Sequence, residues 1–388
     1  MILAFFSSMG GSAWGGSEHL WAATAHDALA AGHRVLISVP RWRPRAPGIE
    51  RLCHAGAQVF ERPRLRSKSL WRFIDSVALR HWSFGRQQPD VLCINQGGTF
   101  DFLTANHSAT LRDLTFGFRV PYVVLCHYND EVLLRTQGLR NRVEPFLERA
   151  SRVGFVSEHN RRLVERQIGC RLPNVVILRN PVNLSDTAPV PWRASLNPVR
   201  FCTVARLETR YKGQDVLFEA LAAAPWRQRP WELRLYGKGP DQQYLQRLAH
   251  MFGIADRVQF MGHVDDIRAV WASNDILVLS SFGEGIPLTL VEAMLCGRPG
   301  VVTDVGGNTE WVEDGTTGFV AAAATPQSVA AALERAWAAR SRWREMGERA
   351  HAVALSRYDP HPGRTLLGLL EQVARETARS GRKPDDSH

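Results

Sequence analysis

Apolar and polar positions along the chain alternate between short apolar runs and longer stretches with helical period. Runs at residues 2–6, 33–39, 90–94, 122–126, 153–156 and 175–178 are rich in Val, Ile, Leu and Phe and read as buried strands. A helix from Ser17 to about Ala31 and others like it lie between them. Strands apolar on both faces and joined by helices predict a parallel sheet with helices on both sides. The pattern restarts at residues 200–205, with further strands closing near Tyr236, Phe260 and Leu279. Residues 180–200 carry Pro181, Pro189, Pro191 and Pro198 with little periodicity and read as a linker. A chain of 388 residues exceeds what one hydrophobic core usually serves. The expected organisation is a first domain over 1–185, a linker over 186–199 and a second domain over 200–360. A closing amphipathic helix over 361–380 and a disordered tail over 381–388 complete it. Within the second domain, residues 326–349 read as one helical stretch rich in Ala and Arg.

The most informative stretch is residues 280–310, SSFGEGIPLTLVEAMLCGRPGVVTDVGGNTE. It follows a buried strand over 275–279 and breaks at Phe282-Gly283-Glu284-Gly285. Pro287 falls at an expected first helical position and Gly297 just past the helix end, so a helix starting at about Ile286 is predicted. The backbone N–H groups of such a helix start, near Leu288 and Thr289, together with the dipole, form an anion site. Glu284 before it and Glu292 one to two turns inside can accept hydroxyl hydrogen bonds on either side of that anion. Sugar, diphosphate and ribose in a row match this layout. For the two glutamates alone, complementing a helix start and a solvated face is the commoner explanation; the neighbouring motifs decide against it.

Those motifs sit at other strand ends, where ligands bind in sheets of this kind. Gly15-Gly16-Ser17-Glu18 follows the first strand as a glycine turn into a helix, with Ser17 as its expected N-cap. His127 comes directly after the expected strand 122–126. Arg206 and Lys212 stand in the loop after strand 200–205, where two cations suit a diphosphate. Gly237-Lys238-Gly239-Pro240 ends the next strand, but it lacks the third glycine of a dinucleotide fingerprint and does not follow the first strand. Gly262-His263-Val264 ends a further one.

Glu284 and Glu292 with seven residues between them, the Gly-x-Pro turn after them and Gly306-Gly307-x-x-Glu310 resemble the donor site of the family-four, group 1 retaining glycosyltransferases. Gly300 departs from that family, which usually has an aliphatic residue there. The resemblance is strong over about 200–320 and moderate over 1–185. It implies the GT-B fold: two Rossmann-like doubly wound domains facing a cleft, the first for the acceptor, the second for a nucleotide-sugar, and a final helix crossing back to the first. It further implies that Glu284 holds donor-sugar hydroxyls, that the amides of Gly285, Ile286, Leu288 and Thr289 around Pro287 hold phosphates, and that Glu292 holds the ribose. Arg206 and Lys212 would face the diphosphate, His127 the donor sugar, and Gly15 and Gly16 the ligand at the first loop. Gly237, His263 and Val264 would lie along the nucleotide. The donor is then a UDP- or GDP-linked hexose, and the acceptor a glycan, glycolipid or lipid-linked hydroxyl.

Composition refines this reading. Six cysteines are scattered with no C-x-x-C pair, and no D-x-D triplet occurs, so neither a zinc site nor a catalytic metal is expected, nor any other cofactor. No apolar run reaches membrane-spanning length, and the protein is expected in the cytoplasm. Net charge is +10, of which residues 34–86 alone carry +9. There Leu70, Phe73, Ile74, Val77 and His81 recur at helical spacing beside Trp71 and Trp82. A basic helix with interfacial aromatics suits an anionic membrane surface on the cytoplasmic face; an ordinary domain helix beside a solvated basic loop is the somewhat commoner explanation. No nucleic-acid motif accompanies the charge. Two other functions are compatible with the same architecture: a nucleotide-sugar epimerase, and a non-catalytic carbohydrate or partner-binding protein.

Overall fold

The apolar runs of the first half become a seven-stranded parallel sheet: β1 (Ile2–Ser7), β2 (Arg34–Pro40), β3 (Gln58–Arg62), β4 (Val91–Gly98), β5 (Tyr122–Tyr128), β6 (Arg152–Phe155) and β7 (Val175–Ile177). The structure is a computed structural model and describes residues 1–62, 87–104, 120–131 and 136–379. Strand order is β3-β2-β1-β4-β5-β6-β7, with every pairing parallel. The order reverses between β1 and β4, and the carboxyl ends of strands open a crevice at such a switch point. Leu3, Phe5, Ile37, Cys93 and Val123 are buried on one face and Phe6, Leu36, Ile94, Val124 and Phe155 on the other. Burial on both faces is why these strands read as unbroken apolar runs.

The second half repeats the plan with β8 (Val199–Val204), β9 (Trp231–Tyr236), β10 (Val258–Gly262), β11 (Ile276–Leu279), β12 (Gly300–Thr303) and β13 (Gly318–Ala321). These are also all parallel, in the order β10-β9-β8-β11-β12-β13. The switch point here lies between β8 and β11. The two sheets belong to separate units: Met1–Pro181 with the chain from Asp359 onward, and Val182–Tyr358. The expectation of two Rossmann-like domains is borne out.

So is the return of the last helix to the first unit. Pro362–Arg379 buries Leu366, Leu367, Leu370 and Val373 in the cluster that holds Leu20, Trp21, Ala25 and Ala28 of the helix Glu18–Ala30. The two helices approach closely at Gly363, where a Cβ would lie 2.4 Å from Asp27 Oδ2. His33 Nε2 and Glu371 Oε1, 2.9 Å apart, pin the far end.

Several local expectations need correction. β5 continues to Tyr128 because Gly98 still pairs with Tyr128, so His127 lies inside the strand and not after it. Edge strands β3 and β13 carry too little apolar alternation, or too few residues, to stand out in the sequence. The helical stretch expected over 326–349 is two helices, Pro326–Ala338 and Trp343–Arg357, separated by a single turn at Arg340–Arg342.

Residues 182–198 have no regular element, yet they are held in the second unit. Fully buried Arg298 donates to Val190 O (3.1 Å) and Pro191 O (2.6 Å), with its guanidinium 4.3 Å from the Trp192 ring centre. The helix expected around Leu70–His81 and the tail 381–388 lie outside the described residues. Among the described residues no helix is long and apolar enough to cross a membrane.

Candidate active site

The organising loop of the second unit leaves β11 at Leu279 and returns through the helix Leu288–Leu295 to β12. That helix starts one to two residues later than expected. Pro287, with φ −64° and ψ 120°, is its extended N-cap and not its first helical residue, and no side chain caps it. An uncapped start leaves its first N–H groups available to an anion. Gly297 ends the helix in the left-handed region at φ +73°, as its position predicts.

The loop before the helix is held by close backbone packing. A Cβ on Gly306 (φ +53°) would sit 2.2 Å from Glu284 O, and Gly307 N–H donates to Gly285 O at 2.6 Å. Thr303 Oγ1 donates to Ser281 O at 2.7 Å. The Gly306-Gly307 pair therefore acts as a close-packed backbone support for the glutamate loop.

Opposite it, the chain after β8 forms a one-turn helix, Thr209–Lys212, which ends at Gly213 with φ +57°. Ser280 Oγ donates to Gly213 O at 2.6 Å, and Phe282 N–H donates to Tyr211 O at 2.9 Å. This stitching brings together two of the expected site residues, one from each loop. Lys212 Nζ lies 2.7 Å from Glu284 Oε1, and Ser281 Oγ donates to the same oxygen at 2.7 Å. Lys212 thus rests on the carboxylate that was expected on the sugar side of the site.

Glu292 is buried on the helix Leu288–Leu295, and its Oε1 accepts from the backbone N–H (3.0 Å) and side-chain amide (3.1 Å) of Asn183. Burial raises its carboxyl above the usual range, and the Asn183 donors oppose this. Arg206 is exposed, with Nε 3.2 Å from Glu208 Oε2. Gly237 (φ +131°) passes close to the end of β8, where a Cβ would meet Ala205 O at 2.1 Å. His263 is exposed beside Asp265, and Val264 packs against the apolar cluster. Sequence reasoning missed Asn183 and Ser281; an Asn 109 residues from its glutamate leaves no local signal.

The first unit holds the remaining candidates. Gly15 and Gly16 turn the chain into Glu18–Ala30, with Glu18 N–H donating to Gly15 O at 3.0 Å. Ser17 occupies the N-cap position in αR geometry and makes no side-chain capping bond, contrary to expectation. Glu18, buried, takes hydrogen bonds from Ser7 Oγ (2.9 Å), Asn95 Nδ2 (2.9 Å) and Trp21 Nε1 (3.1 Å). Asn95 Oδ1 in turn lies 2.8 Å from His127 Nε2. A buried chain Glu18–Asn95–His127 therefore links the first loop to β5, and sequence reasoning missed the connection through Asn95. Burial pushes His127 down to about 4, so its ring is neutral near pH 7.

Burial raises Glu18 to about 7, against hydrogen bonds from Ser7 and Trp21 and the charge of Arg62. A raised carboxyl favours the folded state while protonated, and that contribution is lost as pH climbs from the unfolded value toward 7. The melting temperature of the wild type relative to Glu18→Gln should therefore fall between about pH 5 and pH 8. A difference independent of pH would show that Glu18 does not titrate there.

These two units place the chain among proteins with the GT-B fold. Anabaena HepE, solved in complex with UDP, superposes with a TM-score of 0.72 at 22% identity, covering 98% of this chain and 100% of that one. Sucrose-phosphate synthase from Thermosynechococcus elongatus gives 0.74 at 17% identity, covering 98% and 100%. Residues 14–186 match the model for "Glycosyltransferase Family 4" and residues 198–339 that for "Glycosyl transferases group 1". The chain belongs to the group 1 glycosyltransferase family.

Among curated relatives, lipopolysaccharide core biosynthesis glycosyltransferase LpsE of Rhizobium meliloti is 25% identical over 78% of this chain and 81% of its own length. An exopolysaccharide phosphotransferase of Streptomyces coelicolor is 29% identical over 54% of this chain and 22% of its own. The chain spans less than half the length of the first curated relatives it matches.

Proposed function

We propose that the chain is a retaining glycosyltransferase. It transfers a hexosyl unit from a nucleoside-diphosphate sugar to a hydroxyl of a glycan, glycolipid or lipid-linked acceptor, with no metal or other cofactor. The observation that carries this reading is the 2.7 Å meeting of Lys212 and Glu284 next to an uncapped helix start, built by two loops at neighbouring strand ends of one sheet. Negative charge grows on the leaving diphosphate as the glycosidic bond breaks. Arg206, Lys212 and the amides of Leu288 and Thr289 are the groups that offset it.

Glu284 and Glu292 accept hydroxyls of the donor sugar and the ribose. Burial leaves His127 at about 4, too weak a base to hold a proton near pH 7, and in this reading the proton of the acceptor hydroxyl goes to the departing phosphate oxygen. Of the two nucleotides expected, the UDP complexes of HepE favour UDP. The basic residues 34–86 suit an acceptor held at the cytoplasmic face of a membrane.

The test is a reaction with UDP-glucose and a pool of glycan and lipid-linked acceptors, followed by NMR, with and without a chelator. Transfer with the anomeric configuration kept and the rate unchanged by the chelator is expected. Inversion, or loss of activity on chelation, contradicts the mechanism, and an isomerised nucleotide-sugar without UDP release points to an epimerase.

A further inference from the structure

Glu292 is a buried carboxylate with no cation to balance it. It is 1% exposed, burial raises its carboxyl, and the groups that oppose this are the two N–H donors of Asn183. A buried charge is costly unless hydrogen bonds satisfy it, so the state of Glu292 depends on one residue of the irregular segment that precedes β8.

The geometry of that contact is one-sided. Asn183 N–H at 3.0 Å and Asn183 Nδ2 at 3.1 Å both donate to Oε1. Turning the carboxylate about its last bond would break both. Oε2 has no hydrogen-bond partner among the described residues and is not sealed inside the protein. One oxygen is therefore held by the protein, while the other keeps its lone pairs for hydroxyl donors.

Asn183 has no regular element to fix it, and its neighbours do so instead. Val182 and Leu184 on either side pack against the cluster that contains Leu290, Val291 and Met294, which belong to the same helix as Glu292. Further along, Arg268 Nη1 donates to Asp186 O at 2.6 Å and to Ala188 O at 2.9 Å, and Val190 N–H donates to Cys296 O at 3.1 Å. Asn183 and Glu292 lie in one unit, so their contact is set within it. Asn183 is itself exposed, so shortening its side chain opens no cavity in the core.

We propose that Asn183 is a positioning residue of the nucleotide site: it holds Glu292 Oε1 so that Oε2 faces the ribose hydroxyls, and the pair thereby sets a preference for ribonucleotides over deoxyribonucleotides. This rests on the reading of Glu292 as the ribose-holding glutamate of a glycosyltransferase. The carboxylate accepts the hydroxyl bond in its ionised form, and such charge-assisted bonds are the stronger ones.

The experiment is calorimetry on the full chain with UDP, 2′-deoxy-UDP and 3′-deoxy-UDP, and with the GDP series if GDP is the nucleotide bound. It is repeated on Asn183→Ala and Asn183→Asp, with a melting curve for each variant. In the wild type at least one deoxy analogue should bind about tenfold more weakly than the parent nucleotide. Asn183→Ala should weaken the parent nucleotide and cut that discrimination to about threefold or less. Asn183→Asp keeps the size of the side chain but replaces the donor with a second acceptor, so it should do at least as much damage. Combined with Glu292→Ala, Asn183→Ala should add less than about twofold, because the two act as one unit. A wild type that binds both deoxy analogues as tightly as the parent overturns the inference. So does a folded Asn183→Ala or Asn183→Asp that keeps the full discrimination, the latter showing that only the bulk of the side chain counts. A wild type that binds neither UDP nor GDP strikes the donor site itself, and the positioning role falls with it.

Discussion

Lys212→Ala is expected to lower turnover by about two to three orders of magnitude while the chain remains folded. The ammonium stands on a single helical turn whose end is fixed by Ser280 and Gly213, so it is held in place before any ligand arrives. A preorganised cation does not have to reorient as charge builds on the leaving diphosphate, and this is why its removal weighs on the chemical step more than on binding. The loss in stability should be modest, about 1–3 kcal/mol, because Glu284 keeps its hydrogen bond from Ser281. Steady-state kinetics with a melting curve separates the two effects. Near-wild-type turnover in a folded variant would remove Lys212 from the mechanism.

Gly213→Ala should give the second large effect, this time on the assembly of the site. The residue has φ +57°, where a side chain costs about 1–2 kcal/mol. Its Cβ would also lie 2.1 Å from Ser280 O, a backbone atom that cannot rotate away. Relief requires the Lys212 turn and the Glu284 loop to move apart, which breaks the bond from Ser280 Oγ to Gly213 O and the one from Phe282 N–H to Tyr211 O. A loss of about 2–4 kcal/mol and at least tenfold weaker UDP binding are expected. Gly253→Ala is the control: its φ is +67°, yet nothing lies within 4 Å of the added carbon, so it isolates the backbone strain. Equal losses in the two variants would show that the contact with Ser280 does not hold the loops together.

How much of this was legible in the sequence follows from which interactions are local. Buried parallel strands announce themselves as apolar runs, and β1, β2, β8 and β11 were placed to within a residue or two, whereas β4, expected to end at Ile94, runs on through polar Asn95 and Gln96 to Gly98. Gly297 was legible as a helix stop because a positive φ there is a property of one residue type. The helix start was misplaced because proline suits both an extended N-cap and a first helical position, and only ψ distinguishes them. His127 was put outside its strand because pairing with Gly98 on β4, not the residues around it, decides where β5 stops.

The site residues were visible as residue types at strand ends, but their partners were not. Lys212 and Glu284 are 72 residues apart, Asn95 and Glu18 are 77, and Asn183 and Glu292 are 109. The grip of Arg41, Arg43 and Arg45 on Glu61 was visible only as a basic stretch, since β3, which presents the glutamate, did not stand out as a strand.

The central claim is that the second unit carries a nucleotide-sugar site built on Lys212, Glu284 and Glu292. Calorimetric titration of the full chain with UDP and GDP, repeated on Lys212→Ala and Glu292→Ala, tests it most directly. The account predicts selective binding of one nucleotide, UDP before GDP, weakened in both variants. Binding of neither nucleotide, or affinities that both substitutions leave unchanged, would contradict it and put a non-catalytic binding role in its place.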